Sequence, residues 1–429
     1  MKTAGRIAAA IEILSEIFTR NRPASEALKD WGKAHRFAGS TDRHVIGTLV
    51  YDSLRNRNSA AARAGSDAPR AIALGTLAEV WKLPVTEIET LCTEQFGPGE
   101  LGVSEKKALS IALPNTLAAH ILGNFPEWLE NDLRQTFSSN LNAEMAALSQ
   151  RAPIDLRVNT LKATRQTVLQ AFSKFAAIAT PLSPMGLRIA APGIEARNIN
   201  VEAEPAHGLG KFEVQDEASQ LAAILTGIKP DDTVLDLCAG AGGKSLALAP
   251  LMQNRGKLVA YDRDKHRLRP IFERINRSGA TCIEVVPYDE PQKLRLLGGY
   301  DLVVVDAPCT GSGTWRRKPD AKWRLSEKQL QIRMKEQVSV LEQAAPLVRK
   351  GGRLAYFTCS VLPQENTSQV QAFLKNNPQF KIIPYTEQWK ATLESPPPNS
   401  ADGRSDSLQL SPHSHGTDGF FVAVMQRVG

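Results

Sequence analysis

The sequence predicts a three-part, multidomain protein. An all-α domain covers residues 1–150, a small α+β module covers 151–210, and an α/β domain on a doubly wound parallel sheet covers 211–429. Three observations carry this reading. Apolar residues recur at helical spacing up to about residue 150, strand-like and helix-like runs then alternate briefly, and from residue 233 five short apolar runs are separated by helical or loop segments. With 429 residues, 42% hydrophobic and 23% charged, the chain has the composition of a soluble globular protein and enough length for more than one core.

In the first part, Ile7, Ile11, Leu14, Ile17 and Phe18 form one apolar helix face. Val45, Leu49, Tyr51 and Leu54 make a second, preceded by Ser40, Thr41 and Asp42, which offer a helix N-cap. Further helices are predicted over 70–81, 104–112 and 116–122, with one long helix over 127–150. Pro84, Pro98, Pro114 and Pro126 punctuate them where helices should stop or restart. In the second part, IDLRVNTLKA (154–163) reads as a strand, TRQTVLQAFSKF (164–175) as a helix and GLRIAA (186–191) as a strand. The third part supplies TVLDL (233–237), KLVAYD (257–262), IEVVPYD (283–289), DLVVVDAP (301–308) and GRLAYFT (352–358). Such unbroken apolar strands suit a sheet buried on both faces. Residues 392–417, rich in Ser, Pro and Gly, are expected to form a mobile loop before a last strand, GFFVAVMQRV (419–428).

The net charge of +7 leaves solubility and a polyanionic partner equally open. Five cysteines occur, Cys92, Cys238, Cys282, Cys309 and Cys359, with no C-x-x-C pair. Their spacing argues against a zinc site, a thioredoxin-type motif and a disulfide framework, so no metal is expected. The N-terminus mixes apolar and charged residues and lacks a signal-peptide pattern, and no apolar run reaches membrane-spanning length. A cytoplasmic protein is expected.

The strongest local signal is VLDLCAGAGGKS (234–245), where a strand runs into a glycine-rich turn and then a helix. Gly240, Gly242 and Gly243 let the backbone turn sharply and approach a ligand. The surrounding Cys238, Ala239, Ala241 and Lys244 complete the candidate cofactor loop. A dinucleotide fingerprint would want glycine where Ser245 stands, and a phosphate-binding Walker loop would want glycine where Cys238 stands. Asp262, Asp289 and Asp306 close the next three strands in order. A carboxylate after the second strand can meet ribose hydroxyls and one after the third an adenine amino group, a series that an adenosyl cofactor needs and an NTPase does not.

DAPCTGSG (306–313), with Cys309, and TCSVLPQEN (358–366), with Cys359, closely resemble the paired motifs of RNA 5-methylcytosine methyltransferases of the Nop/Sun family, including the bacterial members that act on small-subunit ribosomal RNA. LRVNTLK (156–162), FEVQDEASQL (212–221), RRKPDAKWR (316–324) and DGFFVA (418–423) agree, so the resemblance runs from about residue 154 to the C-terminus. More loosely, the helical part around TDRHVIGTLVYDSLR (41–55) resembles a NusB-type RNA-binding domain, and the small module is expected to be RRM-like. The third domain is then of the Rossmann type, binding S-adenosyl-L-methionine through residues 238–244, Asp262, Asp289 and Asp306.

The resemblance implies that Cys359 adds to C6 of a cytosine, making C5 nucleophilic toward a methyl donor. It also implies that Cys309 assists release and that Asp306 hydrogen-bonds the base. Cys92 and Cys282 read as packing. Lys244 is a candidate cation for lowering the Cys359 pKa. Ala241 and Ser245 depart from the family's usual proline and threonine. RNA, with small-subunit ribosomal RNA first, is the expected partner of a monomeric enzyme. A transfer RNA target, or a catalytically silent ribosome assembly factor, remains open. Arg316, Arg317, Lys318, Lys322 and Arg324, interleaved with Trp315 and Trp323, are expected to contact RNA phosphate and stack on unpaired bases.

Overall fold

The computed structural model describes residues 1–114, 116–193, 199–296 and 299–429. The chain is helical from Thr3 to Leu148. The first helix, Thr3–Arg20, buries Ile7, Leu14 and Ile17, while Ile11 and Phe18 pack half-buried against the same core. The helix Ser40–Arg55 starts within the expected cap. Asp42 reaches back to accept the Gly39 backbone N–H at 3.0 Å, so the capping carboxylate is at the third helical position. The single helix expected over 127–150 is instead two, Glu130–Phe137 and Leu141–Leu148. Ser138 breaks it with φ of +48°, at a Ser-Ser-Asn run whose side chains compete for backbone hydrogen bonds.

The second part has strands β1 (Ile154–Val158), β2 (Ile178–Ala179), β3 (Gly186–Ile189) and β4 (Phe212–Val214), all antiparallel in the order β2-β3-β1-β4. With the helix Arg165–Ala171 after β1 and Pro205–Gly208 before β4, this is a β-α-β-β-α-β arrangement. β4 lies past residue 210, so the small sheet extends beyond the boundary expected for this module.

The third part holds β5 (Thr233–Asp236), β6 (Lys257–Ala260), β7 (Ile283–Val285), β8 (Tyr300–Asp306), β9 (Val348–Thr358), β10 (Phe380–Ile383), β11 (Leu408–Leu410) and β12 (Phe420–Arg427). The sheet order is β10-β12-β9-β8-β5-β6-β7, with β11 on β12. β5 to β9 are parallel, and β12 inserts antiparallel between β9 and β10. The strand order reverses between β5 and β8. The loops after those strands therefore open a crevice at the carboxyl edge of the sheet, where open α/β sheets bind ligands.

The expected mobile loop is a folded segment. β11 pairs with β12, Ser400, Ser407, Gln409 and Ser411 are buried, and the turn Pro412–His415 docks on the helical part. There the buried Glu144 accepts the Ser411 hydroxyl at 2.7 Å, the His413 N–H at 2.9 Å and the Ser414 N–H at 3.0 Å. Polar, proline-rich composition matched a loop, and its side chains bond inward instead.

Candidate active site

Two loops at neighbouring strand ends meet in this crevice. Cys309 follows β8 and Cys359 follows β9, and their Sγ atoms are 3.4 Å apart. Several bonds hold the loops in register. The Gly313 N–H donates to the Cys359 carbonyl at 2.9 Å, Ser312 Oγ and Ser360 Oγ are 2.8 Å apart, and the Val361 N–H donates to Ser312 Oγ at 2.9 Å. The organising group is Glu365. Its buried carboxyl accepts the Thr310 N–H at 2.8 Å, the Thr310 and Ser360 hydroxyls at 2.5 Å each, and the Gln337 amide at 3.0 Å. In the sequence Glu365 stands only as part of the TCSVLPQEN block. Its signal was a carboxylate in an otherwise neutral run after a strand.

The Cys309 thiol is pushed well above its ordinary pKa, first by its hydrogen bond to Cys359 and then by burial. Cys309 therefore keeps its proton at neutral pH. Cys92 is buried in the helical core and Cys282 packs half-buried against the sheet core. Burial also pushes the Cys238 thiol up, so it stays protonated beside the glycine turn.

Lys244 is 4% exposed and donates to Asp306 Oδ2 at 3.1 Å and Ser219 Oγ at 2.7 Å. The cation expected near Cys359 is thus committed to Asp306, whose own side chain remains about a third exposed at 35%. Asp262 accepts the Gly240 N–H at 2.9 Å on one oxygen and the Asp264 N–H at 2.9 Å on the other. Each oxygen keeps a second lone pair, which is what a ribose hydroxyl needs. Gly240 and Gly242 have φ of +50° and +84°, backbone that favours glycine. A Cβ on Gly242 would lie 2.6 Å from Ile271 Cγ1, whereas Gly243 has neither constraint. Cys238, Asp262 and Pro308 line a narrow cleft closed by the helix Glu327–Ala344. Asp289 lies in the exposed loop beyond β7. Turn, carboxylate and cleft fit an adenosyl cofactor.

The basic, tryptophan-rich run 316–324 does not form an open RNA surface. Trp315 and Lys322 are buried. Lys322 Nζ and Trp323 Nε1 donate to the Arg55 and Leu54 carbonyls at 3.2 and 2.6 Å, serving the C-terminal end of the helix Ser40–Arg55. Arg316 pairs with Asp418 at 2.6 Å, and Arg317 pairs with Asp216 at 2.9 Å and also with Asp418. These groups join the helical part to the large sheet.

Comparison with known proteins identifies the family. The family described as 16S rRNA methyltransferase RsmB/F matches residues 223–426, and its ferredoxin-like domain matches 125–194. The probable ribosomal RNA small subunit methyltransferase B of Synechocystis is 31% identical over 309 residues, spanning 71% of this chain and 67% of that protein. The chain belongs to the ribosomal RNA small-subunit methyltransferase B/F family. Membership makes it an enzyme, a ribosomal RNA methyltransferase that draws its methyl group from S-adenosylmethionine. A mouse 28S rRNA (cytosine-C(5))-methyltransferase is 28% identical over 295 residues, covering 64% of this chain and 35% of that one. The crystal structure of PH0851 superposes with a TM-score of 0.75 at 27% identity, covering 99% of both chains. NSun6 from Pyrococcus horikoshii, crystallised with the S-adenosylmethionine analogue SFG, shares the fold at 22% identity, covering 72% of this chain and 100% of that one, with a TM-score of 0.61. Within the described residues no helix of this B/F-family chain is long and apolar enough to cross a membrane.

Proposed function

We propose that this protein methylates C5 of a cytosine in small-subunit ribosomal RNA through a covalent bond between Cys359 and C6 of the base. The observation that carries the reading is the 3.4 Å approach of two thiols at neighbouring strand ends. The Cys359 thiolate adds to C6, and the C5–C6 π electrons pass to C5. Asp306, oriented by Lys244, hydrogen-bonds the N3/N4 edge and favours that redistribution. Residues 238–244 and Asp262, with Asp289, would hold S-adenosylmethionine, which would supply the methyl group for C5. Cys309 then removes the C5 proton. Those electrons re-form the C5–C6 double bond as the bond from C6 to Cys359 sulfur breaks.

Bonding of Cys359 to C6 removes the hydrogen bond and the charge that keep Cys309 protonated. Its proton can then pass to solvent, so that Cys309 is a thiolate when it takes the C5 proton. Reaching C5 requires the cytosine to leave the helical stack. In this reading residues 211–429 perform the chemistry, and the NusB-like helical part and the small module hold the RNA. The enzyme acts as a monomer in the cytoplasm.

Incubation of the full-length protein with small-subunit ribosomal RNA and radiolabelled S-adenosylmethionine, followed by bisulfite sequencing, tests this. One protected cytosine is expected, lost with Cys359→Ala. Label at another base, or undiminished methylation by that variant, would overturn the proposal.

A further inference from the structure

A cavity of about 1050 Å³ is lined by none of the site cysteines. It runs between the helices Ala24–Ala34 and Ser40–Arg55 and is closed on its far side by Arg151 and the Arg316–Arg317 turn. No carboxylate among the described residues lines it. Arg151, Arg316 and Arg317 are neutralised by Asp52, Asp216 and Asp418. Lys29, Arg36 and Arg43 on the helical wall have no ion-pair partner among the described residues, and Arg43 bonds only the Ala38 carbonyl. His44 also lines the groove, and its buried Nε2 has no hydrogen-bond partner.

An aromatic row leads outward from the same wall. Trp31 lines the groove, His35 stacks on it with centroids 4.3 Å apart and planes at 15°, and Phe37 meets His35 edge-on at 5.7 Å. Phe37 is 70% exposed, so its ring face is open to a stacking partner. Uncompensated cations beside an exposed ring are what an unpaired RNA strand engages, through phosphates and base faces. The groove is also near the chemistry. Arg316 is three residues beyond Gly313, whose N–H bonds the Cys359 carbonyl, and three residues span at most about 11 Å.

We propose that this interdomain groove binds a single-stranded RNA segment flanking the target nucleotide, with Lys29, Arg36 and Arg43 on its phosphates and Phe37 against a base. The inference rests on the RNA-methylating reading above and locates where that RNA lies.

The test uses the full chain with a fluorescently labelled, unstructured RNA of about 12 nucleotides, over a range of salt. Lys29→Gln with Arg36→Gln should weaken binding at least tenfold and flatten the plot of log affinity against log salt by about 1.4, two phosphate contacts for a single strand. Phe37→Ala should weaken binding by about tenfold with the salt slope unchanged. Lys107→Gln with Lys375→Gln, exposed elsewhere, should match wild type. Equal losses in that control, or unaltered affinity in the first variant, would overturn the groove. With ribosomal RNA the first variant should raise KM and keep kcat. Absence of cytosine methylation by wild type, with the groove effects intact, would sink the chemical reading and leave the groove standing.

Discussion

The hydrogen bond between Cys309 and Cys359, with Sγ atoms 3.4 Å apart, is the largest cause holding the Cys309 pKa well above its ordinary value. Removing Cys359 deletes the largest cause of the raised Cys309 pKa. In Cys359→Ala, Cys309 should therefore ionise at lower pH than in wild type. The alkylation rate of the Cys309 peptide, followed by mass spectrometry against pH, should show its midpoint shifted downward. An unshifted midpoint would contradict the coupling.

Glu365 ties the two cysteine loops together, and burial raises its pKa. Glu365→Ala strands several buried donors, which costs about 3 kcal/mol, and lets the thiols drift, which should lower kcat by about a hundredfold. Glu365→Gln can keep an acceptor for the Thr310 and Gln337 N–H groups while its NH2 donates to the two hydroxyls, which can reverse. It should restore stability and most of the activity. Urea unfolding and turnover measured on both variants check this, and equal damage in the two would rule it out.

The glycine turn separates conformation from composition. Gly242→Ala places a side chain at φ of +84° and 2.6 Å from Ile271 Cγ1. It should lose about 2 kcal/mol or more and bind S-adenosylmethionine more weakly. Gly243→Ala meets nothing closer than 3.8 Å and should be tolerated. Calorimetric binding on the two variants distinguishes them, and a harmless Gly242→Ala would contradict the geometry.

Much of this architecture was readable in the sequence. The strands at β5, β6, β8 and β9 are unbroken apolar runs because both faces are covered, and the turn after β5 carries its glycines where the backbone goes left-handed. What escaped depends on partners distant in sequence. Ser138 ends a helix whose apolar period continues through it. Residues 392–417 are polar because they bond Glu144 and neighbouring strands, and their composition matches that of a solvated loop. The 316–324 run is basic because Asp216, Asp418 and a helix C-terminus need cations, and nothing local distinguishes that from phosphate binding. Conversely, the open basic groove draws on Lys29 and Arg43 of two helices and Arg36 of the loop between them, which the fold sets along one wall.

Burial lowers the Lys322 pKa from its ordinary 10.5 to about 7. Between those values the unfolded chain binds a proton that the folded protein lacks, so stability rises with pH across the window. Below about pH 7 both states carry the charge and the folded state bears its burial cost in full. Wild type should gain stability in urea from pH 7 toward 10, and Lys322→Met should lose that slope without weakening RNA binding. A slope unchanged in the variant would assign it to other groups.

The central claim is the bond between Cys359 and the base. Cys309→Ala, incubated with S-adenosylmethionine and small-subunit ribosomal RNA, then digested and mapped by mass spectrometry, tests it most directly. The account predicts a methylated cytidine nucleotide attached to the peptide carrying Cys359, because the C5 proton cannot be removed and the sulfur cannot leave. A nucleotide on any other residue, or full turnover with no trapped species, would contradict it.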